Sequence, residues 1–103
     1  MLTVRETDEF ANWLGRLRDY RAKARILRRV DRLIAGNAGD VRPVGEGISE
    51  LRIDYGPGYR IYFLRRGTLL IILLCGGDKR TQDRDIRKSK ELANKIRSSG
   101  HVC

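Results

Sequence analysis

The sequence predicts an α+β domain in which two N-terminal helices pack on a mainly antiparallel, four-stranded sheet and a further helix ends the chain. Three observations lead to this prediction. A short alternating segment precedes two amphipathic stretches, three strand-like stretches separated by turn residues follow, and a polar stretch with helical features comes last. The predicted order is β-α-α-β-β-β-α, and 103 residues suit one domain spanning residues 1–103.

The N-terminal third contains a short strand and two helices. Residues 2–6 alternate between apolar and polar side chains, and Thr7 and Asp8 are suited to cap a helix N-terminus. A second helix is expected over residues 19–35. The first helix places one apolar stripe at helical spacing, formed by Phe10, Trp13, Leu14 and Leu17. The second is expected to bury Ala22, Ile26, Val30, Leu33 and Ile34.

The middle of the chain predicts a loop followed by a meander of three strands. Pro43, Gly45 and Gly47 indicate irregular structure. The strands are expected at residues 50–55, 59–64 and 69–74, and the last is apolar on both faces, as a well-covered strand is. A loop at residues 76–80 then leads to a last helix that starts at Thr81 or Gln82.

Composition favours a polyanionic partner. Lysine and arginine outnumber aspartate and glutamate by 22 to 13, which gives a net charge of +9 and a pI near 10.3. Arginine supplies most of the excess, and its planar guanidinium group suits bidentate contacts with phosphate. The alternative is a basic surface that serves solubility alone.

Several other classes of protein are not expected. The longest apolar run, residues 69–75, is too short for a membrane span of about 20 residues, and the acidic N-terminus does not resemble a secretory signal. Cys75 and Cys103 are read as free thiols in a reducing compartment, which places the protein in the cytoplasm. There is no zinc-binding pattern, and His101 is the one histidine, so neither a metal site nor histidine-based catalysis is predicted.

The cationic side chains of the meander are expected to gather on one face of the sheet. Arg52, Arg60 and Tyr62 occupy the polar phase of their strands, and Lys79 and Arg80 follow the last strand. These five residues are expected to form a concave surface on the sheet face opposite the two helices, and such a surface suits phosphate contacts and base stacking. In the alternative interpretation, Arg52 and Arg60 are ion-paired with Glu50 and Asp54 across the hairpin.

The remaining candidates surround this surface. Asp78 is the one nearby carboxylate without another explanation, because Asp83 and Asp85 suit the first turn of the last helix. The arginines of the second helix form a second basic surface. Further candidate RNA-binding residues are Arg65, Arg66 and Gln82.

Five stretches together resemble the RelE/ParE superfamily of bacterial toxins, in its HigB-like branch of addiction module killer proteins. The resemblance spans about residues 5 to 90. The stretches are Phe10-x-x-Trp13-Leu14, the loop Gly39-Asp40…Pro43-Val44-Gly45-Glu46-Gly47, Ser49-Glu50-Leu51-Arg52-Ile53, Tyr55-Gly56-Pro57-Gly58-Tyr59-Arg60-Ile61-Tyr62-Phe63 and Leu73-Leu74-Cys75-Gly76-Gly77-Asp78-Lys79-Arg80-Thr81-Gln82.

The resemblance implies a curved RelE-like sheet and a toxin that cleaves mRNA on the ribosome without a cofactor. It also implies neutralisation by a cognate helix-turn-helix antitoxin and contact with operator DNA only through the antitoxin complex. The arginines of the second helix are then expected to meet ribosomal RNA or an acidic antitoxin. No membrane partner is expected, because no apolar run is long enough for a span. By position, Arg60 and the pair Lys79-Arg80 match the basic residues of RelE-like toxins, and Arg52 matches a basic residue of the preceding strand. The catalytic tyrosine of such toxins is replaced by Ile86, which leaves the general base open.

The hypothesis from sequence is an endoribonuclease in which the RNA 2′-hydroxyl attacks the adjacent phosphate. Arg60 and Arg80 are assigned to the phosphate, and Lys79 to the leaving group or to charge stabilisation. Tyr62 is assigned to base stacking or proton transfer, and Asp78 is a weaker candidate base. The alternatives are a non-catalytic, ParE-like inhibitor of DNA gyrase and a plain RNA-binding domain.

Overall fold

The computed structural model describes residues 2–99, so His101 and Cys103 lie outside the described residues. Cys75 is a free, buried thiol, as predicted. None of the described helices is both long and apolar enough to cross a membrane. In chain order the elements are β1 (Thr3–Glu6), α1 (Asp8–Arg16), α2 (Tyr20–Ile34), β2 (Val41–Gly45), β3 (Ile48–Ile53), β4 (Tyr59–Arg66), β5 (Leu70–Asp78), a 3-10 turn (Lys79–Thr81) and α3 (Gln82–Ser99).

The strands form one mixed sheet in the order β1-β5-β4-β3-β2. The pair β1–β5 is parallel and the other pairs are antiparallel. The α+β class is confirmed, whereas the predicted count of four strands is wrong because β2 was expected to be a loop. Pro43 is tolerated in β2 since this strand lies at the sheet edge, and positive φ angles at Gly45, Glu46 and Gly47 make the tight turn into β3.

Both N-terminal helices begin where the sequence predicts. The Thr7 hydroxyl accepts a hydrogen bond from the Phe10 amide at 3.1 Å, and the Asp19 carboxylate accepts from the amides of Arg21 and Ala22. These side chains satisfy amides that have no partner within the helix. The predicted apolar sides of α1 and α2 pack in one cluster with Leu51, Ile53, Ile61, Phe63, Ile71 and Leu73 of the sheet.

The last helix lies on the other face of the sheet. Ala93 of α3 is fully buried, and Ile86, Leu92 and Ile96 pack around it. Their partners on the sheet are Ile48, Tyr62, Leu64, Ile72, Leu74 and Cys75. The expected open, concave surface opposite α1 and α2 is therefore largely covered, and the exposed site is confined to one end of the sheet.

Two glycines near the end of β5 allow a helix to approach the sheet from each side. A Cβ atom at Gly76 would clash with the Trp13 ring of α1, and one at Gly77 would clash with the Asp85 carboxylate of α3. A β-bulge just before them, where Tyr62 and Phe63 pair with Cys75 and Leu73, alters the alternation of β5. The expectation of a loop at residues 76–80 was wrong, because β5 continues to Asp78.

Candidate functional site

A buried carboxylate organises the end of the sheet where the predicted site residues meet. Glu50 of β3 is 2% exposed. Its Oε1 lies 3.4 Å from Arg52 Nε and 3.7 Å from Arg60 Nη1. Its Oε2 accepts hydrogen bonds from the Tyr62 hydroxyl at 2.9 Å and from Gln82 Nε2 at 2.8 Å. One oxygen thus faces two cations and the other two neutral donors, and we call these five residues the Glu50 cluster.

Strand register explains why these side chains meet. Arg52 lies directly opposite Arg60, and Glu50 lies directly opposite Tyr62. Two like charges facing each other across strands are destabilising, and the Glu50 carboxylate beside them offsets that repulsion. The alternative from sequence, in which an acid pairs with these arginines across the hairpin, is confirmed for Arg60 and Glu50, whereas Arg52 contacts Glu50 within the same strand. No ion pair with Asp54 forms among the described residues.

Tyr62 belongs to this cluster and not to an open surface. The side chain is completely buried, so its ring has no free face on which a base can stack. Burial, together with the hydrogen bond to Glu50, raises the pKa of Tyr62 far above its usual value. The phenol is therefore a neutral hydrogen-bond donor at physiological pH, which does not fit the stacking or proton-transfer roles expected from sequence.

Beside the Glu50 cluster, an open cavity of about 260 Å³ collects three cations. Arg52 and Arg60 form one wall, and Lys79 lies across from them on the turn before α3. The remaining lining residues are Asp40, Ile53, Asp54 and Gly58. We call this space the cationic cavity; it brings together three of the residues that the sequence singled out.

The guanidinium group of Arg60 is held in an unusual environment. The residue is 5% exposed, and its Nε atom has no hydrogen-bond partner within residues 2–99. Buried polar groups are nearly always hydrogen-bonded, and Arg52 Nε, on the other arginine of this wall, also lacks a hydrogen-bond partner. An anion in the cavity would stabilise these two guanidinium groups. Backbone contacts fix the opposite wall, since the Lys79 amide donates to the Gly58 carbonyl at 2.9 Å.

Asp78 and Arg80 form a separate pair just beyond the cavity. Arg80 Nη2 lies 3.0 Å from Asp78 Oδ2, and the Arg80 amide donates to Oδ1 at 2.9 Å. These contacts hold the pKa of Asp78 below its usual value, with the Arg80 side chain as the main cause. A carboxylate that is so readily ionised and already paired is a poor proton acceptor, which weakens the expected role of Asp78 as a base.

A second, open cavity of about 400 Å³ continues from Lys79 along the start of α3. Gln82 lies in its lining as well as in the Glu50 cluster, so this predicted residue joins the two sets. Arg65 and Arg66 do not join them, because they lie five and six residues further along β4, roughly 17–20 Å from Arg60. The second cavity is lined by Lys79, Arg80, Thr81, Gln82, Asp83, Arg84 and Arg87.

Sequence reasoning missed two buried carboxylates that shape the site. The sequence predicts Glu50 only as an ion-pair partner of the arginines, and Asp85 only as an acid that suits the first turn of the last helix. Asp85 is 4% exposed and accepts a hydrogen bond from the Thr81 hydroxyl at 2.5 Å, which fixes the start of α3 against Gly77. The sequence does carry a signal for Glu50, since strand alternation places its side chain on the same face as Arg52.

Within residues 2–99, no three histidine, cysteine or acidic side chains are placed to hold a metal ion.

Comparison with known proteins gives one matching family and a relative of similar length. The model of the family described as phage-derived protein Gp49-like (DUF891) matches residues 12–98, which include β2 to β5, the Glu50 cluster and Lys79. An uncharacterized protein of Haemophilus influenzae is 50% identical over 95 residues, which cover 92% of this chain and 96% of that protein.

Proposed function

This chain belongs to the Gp49-like phage-derived family, a RelE/HigB-like toxin family associated with toxin–antitoxin modules, and from that premise we propose that it is a toxin that cleaves mRNA on the ribosome. The observation that supports RNA as the ligand is the cationic cavity, where Arg52, Arg60 and Lys79 converge. The guanidinium group of Arg60, a residue that lines this cavity, suits charge-assisted hydrogen bonds to phosphate oxygens.

The proposed reaction needs no cofactor. The RNA 2′-oxygen forms a bond to the adjacent phosphorus while the bond from phosphorus to the 5′-oxygen breaks, which leaves a 2′,3′-cyclic phosphate and a 5′-hydroxyl end. Arg52 and Arg60 stabilise the charge that develops on the phosphate oxygens. Lys79 adds a third positive charge and can protonate the departing 5′-oxygen.

The 2′-proton needs an acceptor other than the ones expected from sequence. Tyr62 is buried, and Asp78 is paired with Arg80. Asp54 is an exposed carboxylate that lines the cationic cavity, and it takes the place of Asp78 in our proposal. An RNA strand held by the ribosome in the attacking conformation lowers the demand on this base, since positioning alone can supply much of the rate.

We propose neutralisation by a cognate helix-turn-helix antitoxin that covers the cavity, with operator DNA contacted only through that complex. A protein that arrests translation in the cell that makes it requires such an inhibitor. Cytoplasmic localisation follows from the same proposal, because ribosomes are the site of action.

Expression of variants in a host that lacks the antitoxin tests the proposal. Wild-type protein should arrest growth, and primer extension should show cuts in mRNA linked to codons. Lys79→Ala removes an exposed side chain without a described partner, so it should leave folding unchanged and reduce cleavage about 10²–10³-fold. Lys95→Ala, an exposed lysine on α3, is the matched control and should cut like wild type.

A second variant keeps the charge but changes its geometry. Arg60→Lys loses the planar fork that binds phosphate through two hydrogen bonds, and we expect a similar loss of cleavage. Unfolding curves of the purified variants separate loss of the site from loss of the fold. If folded Lys79→Ala and Arg60→Lys proteins both cut mRNA at the wild-type rate, the cationic cavity is not the site of cleavage.

Two observations favour a second candidate, a ParE-like inhibitor of DNA gyrase that performs no chemistry. Both sequence-predicted bases are engaged in structural contacts, and the catalytic tyrosine position of RelE-like toxins is Ile86, which packs against the sheet. DNA breaks with intact mRNA after induction would support this candidate. RNA binding without growth arrest would instead indicate a plain RNA-binding domain.

A further inference from the structure

The exposed face of α2 carries a stripe of arginines that do not stabilise the helix, so their presence needs another explanation. Arg21, Arg25, Arg28 and Arg32 are spaced three or four residues apart, so they lie on the same side of the helix. All four are exposed, and none has an ion-pair partner within residues 2–99. Like charges at this spacing destabilise a helix by a few tenths of a kcal/mol per pair. We call these four residues the α2 stripe.

A fifth arginine fixes this helix to the strand that carries the site. Arg29 Nη1 donates to the Arg52 carbonyl at 2.6 Å, and Arg29 Nη2 donates to the Ala38 carbonyl at 3.0 Å. Burial, with a contribution from Arg32, lowers the pKa of Arg29. Because Arg29 binds the backbone of Arg52 directly, the α2 stripe is held at a fixed position relative to the cationic cavity.

The two basic surfaces are contiguous. A cavity of about 260 Å³ along α2 is lined by Arg25, Arg28, Arg29, Arg32, Ile53 and Asp54. Ile53 and Asp54 also line the cationic cavity, so the two spaces share a wall. Seven cationic side chains and two carboxylates line the two cavities together.

An aromatic ring lies at the junction. The guanidinium carbon of Arg25 is 4.5 Å from the centre of the Tyr55 ring, and Tyr55 follows Asp54 directly in the chain. A guanidinium group stacked on a ring keeps its edge free for hydrogen bonds to phosphate. Cations beside an aromatic ring, next to a cavity lined by further cations, are the features of sites for single-stranded nucleic acid.

We propose that α2 binds the sugar-phosphate backbone of single-stranded RNA on one side of the scissile phosphate, so that the cationic cavity and the α2 stripe form one extended binding track. This inference rests on the proposed function, because it takes the cationic cavity as the place of the scissile phosphate. The strand leaves that cavity past Asp54 and follows the helix, with Arg28 and Arg32 on successive phosphates. An acidic partner protein on the same stripe is the rival that the experiment tests.

Binding of two RNAs that cannot be cut tests the track. The probes are a 2′-O-methyl trinucleotide, which fills the cationic cavity alone, and a 2′-O-methyl RNA of roughly 12 nucleotides, a length within the range that single-domain grooves occupy. The Arg28→Ala/Arg32→Ala double variant should bind the longer RNA about ten-fold more weakly. The slope of log affinity against log salt should fall by about 1.4, as expected for two lost phosphate contacts on a single strand.

The controls separate the two proposals. Arg5→Ala/Lys95→Ala removes the same charge from β1 and α3, away from both cavities, and should change the slope much less. Lys79→Ala should weaken binding of both RNAs, and if it weakens neither, the proposed function fails at the cationic cavity. If it weakens both while the double variant behaves like the control pair, only the track is wrong. Loss of antitoxin binding with unchanged affinity for the longer RNA also overturns the track.

Discussion

The face of the sheet beneath α1 and α2 is built from apolar side chains, whereas the face beneath α3 mixes apolar side chains with buried charged and polar ones. The buried polar residues of the described chain are Glu50, Arg60, Asp85 and Ser89. Glu50 and Arg60 share a strand face with the residues that pack under α3, and the other two belong to α3 itself. The two faces therefore contribute to the protein in different ways.

The difference shows where the domain gives up stability for function. An apolar face gains free energy from every side chain that leaves water. A buried ionic cluster gains little over well-packed apolar residues of the same size, because the ions lose their hydration. Two members of the Glu50 cluster, Arg52 and Arg60, nevertheless line the cationic cavity, which is consistent with a face kept for binding an anion.

The largest expected effect on stability comes from creating a cavity in the apolar face beneath α1 and α2. Phe10 is 1% exposed in the cluster beneath α1, so Phe10→Ala should lower the free energy of unfolding by about 3–5 kcal/mol. Urea denaturation measures this change. Leu69→Ala is the control, since Leu69 is 62% exposed and should lose little. A loss below about 1 kcal/mol for Phe10→Ala would contradict the apolar face as the main source of stability.

A smaller effect on stability is expected from changing Glu50 on the face beneath α3. Glu50→Gln keeps the shape but leaves two guanidinium groups without their counter-charge, and should lower the free energy of unfolding by about 1–3 kcal/mol. Cleavage should slow, because Arg52 and Arg60 lose the group that positions them. Affinity for 2′-O-methyl RNA should not fall, since a negative charge beside the phosphate site has been removed.

Matched variants sharpen that result. Glu91→Gln removes an exposed acid from α3 and should change neither stability nor cleavage. Tyr62→Phe removes a single donor to Glu50 and should lower the free energy of unfolding by about 0.5–1.5 kcal/mol. A stable Glu50→Gln protein that cuts at the wild-type rate would show that the cluster serves neither purpose.

The smallest effect is expected at the Asp78–Arg80 pair, which precedes α3. The folded-state pKa of Asp78 lies below the unfolded value of about 3.9, so its contribution to stability is present above that pH and is lost as pH falls through the folded pKa. The Arg80 side chain is 79% exposed, so solvent screening keeps the contribution of this ion pair small. Asp78→Asn should be slightly less stable at pH 7, and the difference from wild type should vanish on acidification and shrink in high salt. A difference that persists at low pH would mean that the variant loses the hydrogen bond from the Arg80 amide to the Asp78 side chain, and not the charge interaction.

Local patterns determined much of the fold. The cap at Thr7, the apolar stripes of α1 and α2 and the two-sided apolar character of β5 all follow from neighbouring residues, and the structure confirms them. β2 was missed for a physical reason. Its proline and glycines are loop residues by local preference, and only the free edge beside β3 makes a strand of them.

The sequence by itself determined the α+β class, the excess of positive charge and the cations that reach the cationic cavity. Only the tertiary structure decided that α3 covers the second face, which buries Tyr62 and leaves the cationic cavity at one end of the sheet. It also decided the role of Glu50, since three of the carboxylate's four partners, Arg60, Tyr62 and Gln82, come from β4 and α3. Alternation along a strand shows which side chains share a face, but whether that face meets water or a helix depends on where a remote segment packs.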